Sequence, residues 1–233
     1  MGGCVVHGDG AVPPRMMLLP AHEVEIVDTW DTAGLRGTGS HDIVVQRRFV
    51  PTSRSVSLVA DPPLADGALY RFPVFGLLAL GIAGVALGVA RAAVDELIRL
   101  AAEKRPSDGR RTLAERGVVQ AEVARTEAAI GAARAYLFEQ VAAAWDEARR
   151  GNAIPTARRT RLRLAATHAV GSAAAAVDAM YAAGGGTAIY AASPLQRCFR
   201  DVHTAAAHAM VAPATLELAG RLLLGLPTDT AML

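Results

Sequence analysis

The sequence is poor in aromatic residues, cysteine and lysine. Phe, Trp and Tyr make up 5% of the 233 residues although 52% are hydrophobic, so a core has to be assembled from Ala, Leu and Val, the materials of closely packed helices. Cys4 and Cys198 are the two cysteines and lie far apart in sequence. That spacing offers neither a disulfide framework nor a cysteine metal site, and a reducing, cytoplasmic setting fits. Lys104 is the sole lysine among 24 Lys and Arg residues, and the formal net charge is only +2. No polyanionic partner is demanded. The densest basic run, "ARRTRLR" at 157–163, has no interleaved aromatic side chains for stacking on bases. It reads as a solvated or subunit-contacting helix face, and no nucleic-acid partner is expected. The N-terminus lacks a basic region leading into an apolar stretch, so no signal peptide is expected.

Long apolar runs are also scarce. Residues 74–90, "VFGLLALGIAGVALGVA", form the one uncharged stretch approaching membrane length, and it is at the short edge of what spans a bilayer. Its glycines and alanines suit close helix packing, and "RAAVDELIRLAAEKR" continues the helical period without a break. The segment reads as a buried helix, with no membrane partner.

What is present has two textures. Up to about residue 60 the chain alternates and turns: "RMMLLP", "EVEIVD" and "HDIVVQRRFVP" are β-like, with Val24 and Ile26 expected on one face and Glu23 and Glu25 on the other. A glycine-bearing loop, "TWDTAGLRGTGSHD", separates the last two, and Pro62, Pro63, Gly67 and Pro73 mark a linker. Beyond it the period is helical. Helices are expected near 75–104, 112–150, 155–182 and 193–224, the last broken at Pro213, with "RPSDGR", "RGNAIP" and "GGGTAIYAAS" as the breaks. Four such helices with short loops suggest an antiparallel bundle.

The last helix carries the densest chemistry. Ser193, Pro194 and Gln196 have the spacing of a capping box. From there Leu195, Phe199, Val202, Ala206 and Met210 form an apolar stripe, while Arg197, Asp201, Thr204 and His208 are expected to share a polar face. Any one of these would be unremarkable in a solvated helix, but two histidines behind an Arg-Asp pair are not ordinary in a chain whose other polar faces use Glu, Arg and Ala. A metal site is not expected, because His203 and His208 are five apart and no nearby carboxylate completes a ligand set. Acid–base work or anion stabilisation remains open.

Taken in order, "WDTAGLRGTGSHDIVVQRRFVP", a helical bundle, "GGGTAIY" and "SPLQRCFRDVHTAAAH" resemble the C-terminal portion of the acyl-CoA dehydrogenase superfamily, in particular its flavin-dependent monooxygenase branch. The resemblance implies a mainly α fold: a C-terminal antiparallel four-helix bundle of acyl-CoA dehydrogenase type, preceded by a partial middle β-domain. The corresponding boundaries are 1–60, 61–73 for the linker and 74–233. It implies a homotetramer, and relative to the family's plan the chain starts inside the β-domain. In the family the preceding domain supplies part of the flavin and substrate walls, so a separate N-terminal domain is an expected partner.

The branch is suggested by missing carboxylates. The dehydrogenases of the family place their catalytic base either just after the Arg-Asp motif or on the first bundle helix, yet residues 202–216 and 68–94 contain no Asp or Glu. His208 lies next to the first position. By resemblance it is the acid–base residue of a monooxygenase, with Arg200 and Asp201 as its support and His203 nearby. Imidazole suits that role because it gives and takes a proton near neutrality. The resemblance also assigns flavin contacts to Arg105, Gln120, Gly184, Gly185 and Gly186, and places the loop from Gly34 to His41 by the flavin edge with Trp30 and Ser40 as candidates. The implied cofactor is FMN or FAD, the implied reaction consumes reduced flavin and O2 on a small, aromatic substrate, and the implied partner is a flavin reductase. Two alternatives stay open: a flavoprotein of acyl-CoA dehydrogenase type, and a non-catalytic helical oligomerisation module.

Overall fold

The computed structural model describes residues 2–4, 14–107 and 109–233. Residues 5–13 of the β-like segment, Asp108 in the first interhelical break and the side chain of Cys4 lie outside the described residues.

Five short strands precede the helices: β1 (Gly2–Cys4), β2 (Arg15–Met17), β3 (Glu25–Val27), β4 (Asp42–Val44) and β5 (Ser55–Val56). They form two antiparallel units, a sheet in the order β1-β2-β5 and a ribbon in which Ile26 pairs with Ile43. The expected alternation of faces around residue 25 does not hold. Ala21–Glu23 is a 3-10 turn, and all three residues of β3 are exposed, Ile26 at 66%. Among the described residues no strand or helix covers either face of the ribbon, so the alternation has no inner face to select.

The helices are α1 (Ala68–Arg71), a single turn inside the expected linker, then α2 (Val74–Glu103), α3 (Gly117–Arg149), α4 (Thr156–Gly184), α5 (Pro194–Ala206) and α6 (Ala214–Leu223). The α4 helix is the central post, packed on α2, α3, α5 and α6. In α2 the fully buried Ala79, Ala83, Ala86, Ala90 and Ala93 recur at steps of four and three. Lacking bulk, they bring the α2 backbone close to its neighbours, while Val94, Leu97, Val170, Val177, Met180, Leu195 and Val202 fill the rest of the core. Among the described residues α2 is the one helix long and apolar enough to cross a membrane; here its alanine face lies in the protein core, and Leu77, Leu78 and Val85 are exposed.

Three details depart from the expectations. The α3 helix begins at Gly117 rather than 112, because Thr112 and Glu115 form a capping box around a 3-10 turn at Leu113–Glu115 and Arg116 leaves the helical region. The expected box at Ser193 is not made: the Ser193 side chain caps nothing, and Gln196 Oε1 instead accepts from Arg200 Nε at 3.0 Å. The basic run at 157–163 is not a solvated face throughout, since Arg163 is 3% exposed.

The final break also lies earlier than Pro213. Proline lacks an N–H and its ring crowds the carbonyl four residues back, so the helical ladder fails over the preceding turn. The α5 helix ends at Ala206, three residues before the carbonyl that Pro213 would crowd, and residues 207–213 form a turn in which the His208 carbonyl accepts from Val211 and Ala212 N–H, each at 2.9 Å.

Candidate functional site

The glycine-bearing loop docks on α5. Within it Trp30 Nε1 donates to the Leu35 carbonyl at 3.0 Å, Thr38 Oγ1 donates to the same oxygen at 2.9 Å, and Trp30 N–H donates to His41 Nδ1 at 3.2 Å. These bonds curl the chain so that Leu35 sits in the left-handed region at φ 50°. Its N–H then donates to Asp201 Oδ1 at 2.7 Å. A carboxylate accepting a backbone N–H makes a charge-assisted bond, stronger than one between neutral groups. Arg200 completes the clamp: Nη1 donates to the Ala33 carbonyl at 2.9 Å. The approach is so close that a Cβ on Gly34 would lie 2.1 Å from the Arg200 carbonyl oxygen. No other residue fits there.

Between loop and helix lies a cleft of about 330 Å³ lined by residues 33–38 with Arg197, Arg200 and Asp201. Arg36 at its mouth is paired with Asp31 at 2.7 Å. Ser40 is exposed beside it, its hydroxyl 3.3 Å from that of Thr38.

The histidines do not join this clamp. His203 turns to α4, with Nε2 2.8 Å from Asp178 Oδ1 and its ring 4.6 Å from that of Phe199, which itself lies 4.7 Å from Tyr181. His208 lies past the end of α5, exposed, its Nδ1 accepting from Met210 N–H at 3.2 Å. The shared polar face of Arg197, Asp201, Thr204 and His208 is therefore corrected. The helix stops before His208, Thr204 Oγ1 is spent on the Arg200 carbonyl, Arg200 bonds Gln196 and the loop, and Asp201 bonds the loop rather than His208.

The other candidates lie at the C-terminal ends of α2 and α4 and in the first turn of α3. Lys104, which the sequence marks only as the lone lysine, donates through Nζ to the Gly184 carbonyl at 2.7 Å and so ties the two helix ends together. Gly184 is buried, and a Cβ there would strike Leu195 Cδ1 at 2.7 Å. Gly185 turns the chain at φ 54°, a conformation that L side chains resist. The backbone at Gly186 faces open space. Arg105 is exposed next to Lys104, with Nη1 donating to the Arg110 carbonyl at 3.0 Å, while Gln120 Nε2 donates to the Ala114 carbonyl at 2.8 Å. Both serve their own loop. Cys198 is buried in the bundle, and burial pushes its thiol above the ordinary value, which makes it a core residue rather than a nucleophile.

Sequence reasoning missed Leu35, Lys104 and Arg163. A left-handed leucine and a buried arginine have no local signature. The one available signal was compositional, the single lysine in an arginine-rich chain.

Indole-3-acetate monooxygenase of Pseudomonas putida is 36% identical over 94% of this chain and 56% of that protein. Among solved structures, 3-HSA hydroxylase from Rhodococcus sp. RHA1 superposes with a TM-score of 0.86 at 28% identity, covering 95% of this chain and 59% of that one. XiaF from Streptomyces sp., in complex with FADH2 and glycerol, gives 0.84 at 30% identity over 94% and 57% of the two chains. The chain thus spans somewhat over half the length of the relatives it matches. The profile described as "Acyl-CoA dehydrogenase, C-terminal domain" covers residues 80–213, from the first long helix to the end of the His208 turn, and the chain belongs to that family.

Proposed function

We propose that this chain is the bundle-bearing part of a flavin-dependent monooxygenase that uses reduced flavin and O2 on a small aromatic substrate. One observation carries the reading. His208 is exposed at the turn after the Arg-Asp motif, and no Asp or Glu lies in 202–216 or 68–94, the two stretches where a dehydrogenase of this family would keep its base. The relatives support it: one is named for indole-3-acetate and another structure holds FADH2. An indole-like aromatic is the substrate class these names favour. A flavin reductase would supply the reduced cofactor, and assembly as a homotetramer accords with the fold.

The residues fit a flavin at two places. The open backbone at Gly186, one residue beyond the Gly185 turn that Lys104 Nζ approaches, and the exposed Arg105 suit its anionic phosphate, and the docked loop, held in shape by Trp30, offers a wall. When bound, the reduced flavin supplies the electrons that activate O2. The chain's own part is acid–base and geometric. With Nδ1 occupied by Met210 N–H, the neutral His208 ring carries its proton on Nε2, and Nε2 is the atom that donates or returns a proton. Arg200 and Asp201 act through the loop they clamp.

The test is a titration of the purified chain with oxidised and reduced FMN and FAD, read by flavin fluorescence and absorbance, alongside His208→Ala. Saturable binding with retained affinity but lost substrate oxidation in the variant is expected. Absence of binding at any reachable concentration would remove the catalytic reading for this chain and favour an assembly module. Bleaching of bound flavin by an acyl-CoA thioester would favour the dehydrogenase reading instead.

A further inference from the structure

Arg163 stands on α4 inside the bundle with 3% of its surface exposed. Its Nη1 donates to the Phe75 carbonyl at 3.0 Å, in the first turn of α2, and reaches Met210 Sδ at 3.3 Å, in the turn between α5 and α6. Among the described residues its Nε has no partner, and burial lowers the guanidinium's affinity for its proton.

Stability gives little reason for this arrangement. A cation removed from water without a counter-charge is unfavourable, and an apolar side chain of similar volume commonly serves as well or better. What the guanidinium accomplishes is geometric, because it joins the head of α2, the α4 helix and the 207–213 turn at one point. The turn's hydrogen bonds are local: His208 N–H donates to the Ala205 carbonyl at 3.1 Å, and Val211 and Ala212 N–H donate to the His208 carbonyl. These shape the turn without fixing it to the bundle. It is attached to the core by Val211, 2% exposed, by Met210, which packs against the same apolar cluster and meets Arg163, and by Thr215, which bonds Thr167 and the Ala212 carbonyl. Met210 is thus held from below through its sulfur, and holds the His208 ring above through its N–H.

We propose that Arg163 is a positioning residue: by seating Met210 it fixes the N–H that occupies His208 Nδ1, so that the ring keeps one tautomer and presents Nε2. The catalytic consequence rests on the reading of His208 as the acid–base group, but the positioning itself does not.

The experiment is NMR of the full chain carrying 15N-labelled histidine. It is run at a pH about two units above the ordinary histidine value, with the His208 signals identified by their loss in His208→Gln. The wild-type ring is expected to show a single tautomer with the proton on Nε2. In Arg163→Met the two nitrogen shifts are expected to move toward each other as the tautomers mix. Met210→Leu conserves volume, removes the contact from the other side, and is expected to do the same; it also provides the test if Arg163→Met does not fold. Thr160→Val, which removes a hydroxyl bond from a buried residue to the Thr156 carbonyl within α4, is expected to leave the His208 signals in place. Unchanged signals in the Arg163 and Met210 variants would overturn the proposal, and so would an equal change in Thr160→Val, since the effect would then be a general loosening. The readout needs no flavin, so its failure is distinguishable from failure of the titration above.

Discussion

At the scale of single residues, the site depends on how closely two backbones approach. Gly34 lies against the Arg200 carbonyl with no room for a Cβ, so Gly34→Ala must either shift the loop or strain it. A cost of ~1–3 kcal/mol is expected for overpacking of this kind. The measurement is denaturant unfolding, joined to the fluorescence of Trp30 in a Trp145→Phe background. A red shift of Trp30 emission in the folded variant would report the undocked loop, and an unchanged spectrum with unchanged stability would contradict the clamp. The same contact explains why Arg200 and Asp201 were legible in the sequence as important but not in their role. Their spacing marked them as a pair, while the acceptor and donor they meet, the Ala33 carbonyl and the Leu35 N–H, stand more than 160 residues away.

At the scale of elements, two stretches with capping-box spacing behave differently. Thr112 N–H donates to Glu115 Oε2 at 2.6 Å and the reciprocal bond is present, whereas the Ser193 side chain makes no cap. Thr112→Ala should therefore cost about 1 kcal/mol. Ser193→Ala should stay within about 0.5 kcal/mol, as an uninvolved surface change does. Parallel denaturation curves decide the contrast. The box also carries a pH signature. Glu115 accepts from the Thr112 N–H and then from its hydroxyl, and these bonds hold its carboxyl below the ordinary value of 4.5. A carboxyl lowered on folding contributes stability above its unfolded value and loses it as pH falls through the lowered folded value. The stability difference between the wild type and Glu115→Gln should be constant at neutral pH and shrink only in that acid window. A difference that changes between pH 6 and 8 would show another group at work.

At the scale of the whole molecule, exposed apolar surface is the dominant feature. Phe49 is 90% exposed, Leu64 fully so, Leu224 77% and Ile26 66%, and among the described residues β3 and β4 pair with no strand but each other. Surface of this kind invites association. Light scattering at micromolar concentration should give a mass above the 24.2 kDa of one chain, and a monomer mass would count against both the assembly reading and the expected tetramer.

The bundle was legible because helical periodicity is local and long: four apolar stripes, each ended by Pro or Gly, set α2, α3, α4 and the α5–α6 pair within a few residues. The glycine-bearing loop and the Arg-Asp pair were legible as separate features for the same reason. Three things were settled only by tertiary structure. Asp201 accepts from the Leu35 N–H in a loop distant in sequence, His208 lies outside a helix that ends at Ala206, and Arg163 enters the core under the His208 turn. Periodicity reports which face of an element is apolar, but the partner that a polar group meets is fixed by packing between elements, and no local pattern encodes it.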